Sequence, residues 1–111
     1  MGPKRKILCI CEGGFTRSVC LAGHLRNRDG TPVHDAIAAS WRYNTPETIE
    51  MLSAWADLVV VMESYMVEKI PFQHRGKLMV CDVGPDRYGQ ALHPDLVNKV
   101  TLWCREQGLR E

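Results

Sequence analysis

The sequence lacks an excess of charge of either sign: 14 Lys and Arg stand against 13 Asp and Glu, a formal net charge of +1. That balance gives no electrostatic footprint for nucleic acid or a membrane surface, and neither is expected as a partner. Long hydrophobic runs are missing too; none approaches the roughly 20 residues of a membrane-spanning helix. Six Pro and nine Gly in 111 residues give no low-complexity bias. An apolar share of 45% excludes a disordered chain and, at this length, suits one domain over residues 1–111.

No secretory leader is expected either. The start, residues 1–6, is basic, but the apolar run after it stops at Glu12-Gly13-Gly14, too short for a signal core. A cytoplasmic, reducing setting is therefore expected. There the five Cys of this chain mean core filler, metal ligand or reactive thiol, and five is an odd number.

Three continuous apolar runs, residues 6–11, 57–62 and 77–81, read as strands covered on both faces, with a weaker Ala-rich candidate at 36–40. Helical spacing lies between them. Val19, Leu21, Ala22 and Leu25 follow Arg17, and Thr45-Pro46-Glu47 opens a helix with Ile49, Leu52 and Trp55 on one face. Residues 64–70 read as a short helix closed by Pro71, with Met66, Val67 and Ile70 inward. Pro94 and Asp95 open a last helix whose stripe is Leu96, Val97, Val100, Trp103 and Cys104. Strand and helix alternate four times, which predicts an α/β three-layer sandwich: a four-stranded parallel sheet with helices on both faces. Ligands in such sheets bind beyond the carboxyl ends of the strands, here the segments after Cys11, Ser40, Met62 and Asp82.

The first of these segments reads Cys11-Glu12-Gly13-Gly14-Phe15-Thr16-Arg17-Ser18. Five residues between Cys and Arg can wrap backbone N–H groups around a tetrahedral oxyanion, and Gly13 and Gly14 supply the backbone freedom for the curl. Arg17 offers a fork for two phosphate oxygens, and the helix it opens adds its positive end. Cys11 at the centre of such donors suits a nucleophile for phosphoryl transfer, and Ser18 can hydrogen-bond the same sulfur. As a plain strand residue Cys11 would only pack, a reading the adjoining Gly-Gly and Arg-Ser disfavour.

These residues resemble the start of the low-molecular-weight protein tyrosine phosphatases. Residues 56–62 are similar to that family's third strand, which ends at Met, and Pro85-Asp86-Arg87-Tyr88-Gly89 resembles its Asp-Pro-Tyr-Tyr loop. The resemblance implies a flavodoxin-like sheet and hydrolysis of a phosphorylated substrate, either a phosphotyrosine protein or a small aryl phosphate. Cys11 would form a cysteinyl-phosphate, Arg17 would bind phosphate with the loop residues 12–18, and Asp86 would serve as general acid and then base. Tyr88 would wall the cleft, with Trp41 or Tyr43 opposite. No cofactor and no metal are implied, since Arg17 and backbone amides supply the charge stabilisation.

The loop departs from the family pattern at Glu12, Gly14 and Thr16, where a Leu, an Asn and a second Cys usually stand. Loss of the Asn implies a looser loop, and Glu12 disfavours strongly acidic substrates if it faces the cleft. The chain is also shorter than usual members, chiefly between Ser40 and Asp57, which weakens the implication of phosphotyrosine specificity more than that of phosphatase chemistry. Asp86 competes with Asp82 and Asp95 for the acid role, and as part of Gly84-Pro85-Asp86 it could be a turn residue alone. Tyr88 reads equally as a core aromatic.

Cys9 with Cys11 and Cys20 with His24 have the spacing for shared ligation, but a continuous buried strand is a poor zinc scaffold. Cys9, Cys20, Cys81 and Cys104 are read as core thiols. His24, His34 and His74 have no partner that sequence identifies, and His93 before Pro94 fits an N-cap or a rim position. Two other functions compete: arsenate reductase on the same fold, which needs a thiol relay for which Cys20 is the candidate, and a phosphate-binding module without turnover.

Overall fold

A computed structural model describes residues 4–14, 16–28 and 31–109 of the chain. Its centre is strand β1, Lys6–Cys11, in which every residue after Lys6 is buried. A strand with neighbours on both edges and helices on both faces has no solvent side, hence its unbroken apolar run.

The chain continues through helix α1, Arg17–Arg26, and a small antiparallel pairing of β2, Asn27–Arg28, with β3, Thr31–Pro32. Strand β4, Asp35–Ser40, helix α2, Pro46–Trp55, and strand β5, Leu58–Val61, follow. Two 3-10 segments, Ser64–Lys69 and Phe72–Lys77, lead to β6, Leu78–Val80, and helix α3, Pro94–Glu106, completes the described chain. The main sheet has the order β4-β1-β5-β6 and is parallel throughout. The chain leaves β1 outward to β4 through α1 and returns across β1 to β5 through α2. Right-handed crossovers in opposite directions put those helices on opposite faces, and α3 packs against α1.

The fold is the four-stranded parallel sandwich read from the sequence. The Ala-rich candidate is a full strand, paired with β1 from Lys6↔Asp35 to Cys11↔Ser40. Residues 64–70 form 3-10 turns rather than an α-helix, with Met66 and Ile70 buried and Val67 half-buried. The segment Phe72–Lys77 and the β2–β3 pairing were not anticipated. The former buries no residue, and the latter is two residues a side, so neither leaves an apolar period to read.

The helix starts follow their residues. The Thr45 hydroxyl accepts from the Thr48 N–H at 3.2 Å, with Pro46 in the first helical position, and His93 caps α3 by accepting from the Asp95 N–H at 3.1 Å. Leu96, Val100 and Cys104 form the buried stripe of α3. His34 also finds partners: Nδ1 accepts from the Arg5 N–H at 3.1 Å, and Nε2 lies 2.8 Å from the Leu109 carbonyl.

Candidate active site

Cys11 ends β1 and is 1% exposed. Its sulfur accepts the Gly14 N–H at 3.1 Å and shares a hydrogen bond with the Ser18 hydroxyl at 3.1 Å. Ser18 is wholly buried in the first turn of α1, a turn with no acidic residue, so the positive end of the helix is left for an anion. The Thr16 carbonyl accepts the Cys20 N–H at 2.9 Å and starts that helix. Phe15 lies outside the described residues.

The loop is fastened rather than loose. Gly14 has φ +74°, and a Cβ there would stand 3.1 Å from the Ser40 Cβ and 3.2 Å from the Ala39 carbonyl carbon. Small residues at the end of β4 are what let the loop approach so closely. The Ser40 hydroxyl donates to the Glu12 carbonyl and accepts the Arg42 and Tyr43 N–H groups at 3.1 and 2.8 Å. The clamp expected of the missing Asn thus comes from the neighbouring strand.

Arg17 is the largest buried polar side chain, at 1% exposure. Its Nη1 donates to the Gly84 carbonyl at 2.9 Å and to the Glu63 carboxylate, whereas its Nε is buried with no hydrogen-bond partner among the described residues. A buried cation requires a counter-charge, and Glu63 provides it. Sequence reading missed Glu63, although it stands directly after Met62, in one of the strand-end segments where a ligand was expected.

A cavity of about 490 Å³ opens over this loop. Glu12, Gly13 and Arg17 line it from the loop, Glu63 and Tyr65 from the segment after β5, Pro85 and Asp86 from the segment after β6, and Tyr43 from the turn after β4. Asp86 is exposed on this wall. Asp82 is differently engaged: it accepts the Gly84 N–H at 3.0 Å and the Ser64 hydroxyl at 2.9 Å. Those bonds, the Gly84 one foremost, hold its carboxyl below the usual carboxylate range. Asp95 sits in the first turn of α3.

The aromatic wall differs from expectation. Tyr88 is 4% exposed and does not line the cavity; its hydroxyl donates to the Val83 carbonyl and receives the Lys99 ammonium at 3.0 Å. A buried phenol needs such a partner, and the one it finds turns the ring into the core. Trp41 stands behind the wall: it meets the Tyr65 ring edge-to-face at 6.1 Å, with the Lys69 ammonium 4.4 Å from its centroid. The lining rings are Tyr43 and Tyr65, 67% and 42% exposed. Tyr65 lies within the helix anticipated over residues 64–70, and nothing in the sequence singled it out.

Glu12 faces the cavity and pairs with Arg42 at 2.6 Å, a bond that raises the already high pKa of the exposed guanidinium. The other thiols are core. Burial drives Cys9 and Cys81 well up and raises Cys20 to about 11; Cys104 is wholly buried. Among the described residues no three His, Cys, Asp or Glu side chains are grouped to hold a metal ion. No described helix is long and apolar enough to cross a membrane.

Sheet order, crossovers and the loop after β1 give the chain the fold of the low-molecular-weight tyrosine phosphatases. Three solved structures with this fold are similar to it. Wzb of Vibrio vulnificus, bound to benzylphosphonate, is 19% identical at a TM-score of 0.63, covering 94% of this chain and 99% of that one. The Erwinia amylovora tyrosine phosphatase AmsI is 17% identical at 0.66, covering 95% and 94%. The YwlE arginine phosphatase of Geobacillus stearothermophilus is 17% identical at 0.64, covering 94% and 93%. No protein-family model matches the chain, and no curated protein sequence matches it.

Proposed function

We propose that this protein is a phosphomonoester hydrolase working through a cysteinyl-phosphate on Cys11. The observation that carries the reading is the Cys11 sulfur, held by the Gly14 N–H and the Ser18 hydroxyl, in the same loop as a buried Arg17 that lines the cavity. That the structural neighbours are tyrosine and arginine phosphatases supports it.

In the first step the thiolate attacks phosphorus, forming the S–P bond as the P–O bond to the leaving group breaks. Asp86 gives its proton to the departing oxygen. In the second step Asp86 takes a proton from water, whose oxygen attacks phosphorus; the S–P bond breaks and inorganic phosphate leaves. Arg17 and the loop N–H groups stabilise the charge on the equatorial oxygens, and Ser18 hydrogen-bonds the sulfur as it becomes a leaving thiolate. The substrate is a phosphorylated side chain or small aryl phosphate, met in a reducing cytoplasmic setting.

The test is hydrolysis of p-nitrophenyl phosphate in the presence of a chelator. The expected result is turnover by the wild type and none by Cys11→Ser, which still binds phosphate. Robust hydrolysis by Cys11→Ser overturns the reading, and tight phosphate binding without wild-type turnover favours a binding module. Burial of the Cys20 thiol, at a pKa of about 11, weighs against the thiol relay that arsenate reduction needs.

A further inference from the structure

Three carboxylates, Glu12, Glu63 and Asp86, line the cavity against a single guanidinium, that of Arg17. Arg17 is 1% exposed and keeps a donor in reserve, since its Nε is buried with no hydrogen-bond partner among the described residues. A phosphoryl group that takes this donor brings negative charge against Glu63, which already holds the same guanidinium. Like charges in a partly desolvated cavity repel strongly, so Glu63 needs another cation at that moment. Among the described residues the cavity lining offers none: Glu12 has its own partner in Arg42, and no Lys or second Arg lines the cavity. Tyr43 and Tyr65 add two exposed rings, whose faces attract cations.

We infer that the substrate supplies this cation: the site selects phosphoryl groups carried beside a positively charged group, with Glu63 the main specificity-determining residue and Glu12 the second. The inference rests on the phosphatase reading of the same loop and names its substrate class. Binding is an exchange of partners. The Glu63 carboxylate passes from Arg17 Nη1 to the substrate cation, and the freed N–H turns to a phosphoryl oxygen. A phosphoryl group flanked by carboxylates leaves Glu63 facing anions on both sides. Two sources present the favoured chemistry, a phosphotyrosine in a basic segment and a phosphorylated arginine, whose guanidinium carries the charge itself.

The experiment compares phosphotyrosine peptides flanked by Lys, by Ala and by Glu with a phosphoarginine peptide. Turnover is read in the wild type and binding by calorimetry in Cys11→Ser, both at low ionic strength, where charge effects are least screened. The Lys-flanked peptide is expected to lead the Glu-flanked one by about tenfold or more in kcat/KM and in Kd, a gap that narrows in high salt. Glu63→Gln brings the two within about threefold, chiefly by improving the Glu-flanked peptide. Glu12→Gln, which leaves the Arg17 pair intact, shifts the ratio the same way by less and serves if Glu63→Gln does not fold. A phosphoarginine peptide that outperforms the Lys-flanked one assigns the cation to the phosphorylated side chain; the reverse assigns it to the flanking sequence.

Equal treatment of the Lys- and Glu-flanked peptides by the wild type, or a preference unchanged in both variants, overturns the inference. p-Nitrophenyl phosphate keeps the two readings apart. If it is hydrolysed while the charge preference is absent, the selectivity fails alone. If it is not hydrolysed, the phosphatase reading fails, and the Cys11→Ser binding ratio still decides the selectivity.

Discussion

Gly14 lies directly against Ser40: a side chain at residue 14 would put its first carbon 3.1 Å from the Ser40 Cβ and an equal distance from the Ser40 nitrogen. Backbone and side chain of one strand end thus limit the loop that holds Cys11. Gly14→Ala has to overcome both the contact and a φ of +74°. It is expected to lower kcat/KM for p-nitrophenyl phosphate by tenfold or more, on the order of 1.4 kcal/mol, with phosphate affinity falling in parallel by calorimetry. Gly23→Ala, where a side chain would meet nothing within 4 Å, is the comparison.

Ser40→Ala removes the donor to the Glu12 carbonyl and the acceptor for two N–H groups of the following turn. Losing buried partners of this kind costs about 1–3 kcal/mol. The melting temperature is expected to fall, and KM to rise more than kcat drops, because the loop and Tyr43 lose their common anchor. Thermal unfolding and steady-state kinetics read the two effects separately.

Tyr88→Phe deletes the hydroxyl that joins Val83 and Lys99 and leaves the ring in place. Stability is expected to fall by about 1 kcal/mol in urea unfolding, with kcat/KM unchanged within twofold. Tyr43→Ala gives the opposite pattern, a raised KM with little change in stability, since that ring is 67% exposed on the cavity wall.

Asp82 carries the pH dependence of the segment after β6. Its carboxyl is held below the ordinary range by the Gly84 N–H and Ser64. A depressed folded-state pKa contributes stability above the unfolded value, about 3.9 for Asp, and that contribution is lost as pH falls through the folded value. Wild type should therefore exceed Asp82→Asn in stability at neutral pH, and the difference should shrink below about pH 4. Denaturant midpoints measured across that range check the sign; a gap that widens on acidification contradicts it.

Much of the sheet was legible because its strands lack a solvent face. The run Ile7-Leu8-Cys9-Ile10-Cys11 is buried on both sides, as is the four-residue run Leu58–Val61 of β5. β4 was harder to read, because the small residues that admit the loop at Gly14 are poor strand formers on their own. In the candidate site, Cys11, Gly14 and Ser18 were readable because their hydrogen bonds close within one loop, the loop that also carries Arg17. Glu63 and Tyr65 meet them only through the tertiary fold, 46 positions from Arg17 in the case of Glu63. The rule of strand ends marked their segment without marking the residues. Tyr88 stayed open between cleft wall and core aromatic for a related reason: spacing does not say which carbonyl a phenol will reach, and here it reached Val83.

The bond from Arg17 Nη1 to the Gly84 carbonyl ties the start of α1 to the stretch of backbone that carries Asp86 two residues later. It acts as a strut between the two ends of the cleft. An anion that pulls on the guanidinium pulls on that stretch as well, so occupancy at one wall is felt at the other without any hinge or lid. Filling the anion site is thereby expected to stiffen residues 84–86, and the amide signal of Gly84 should report on an anion bound at the opposite end of the strut.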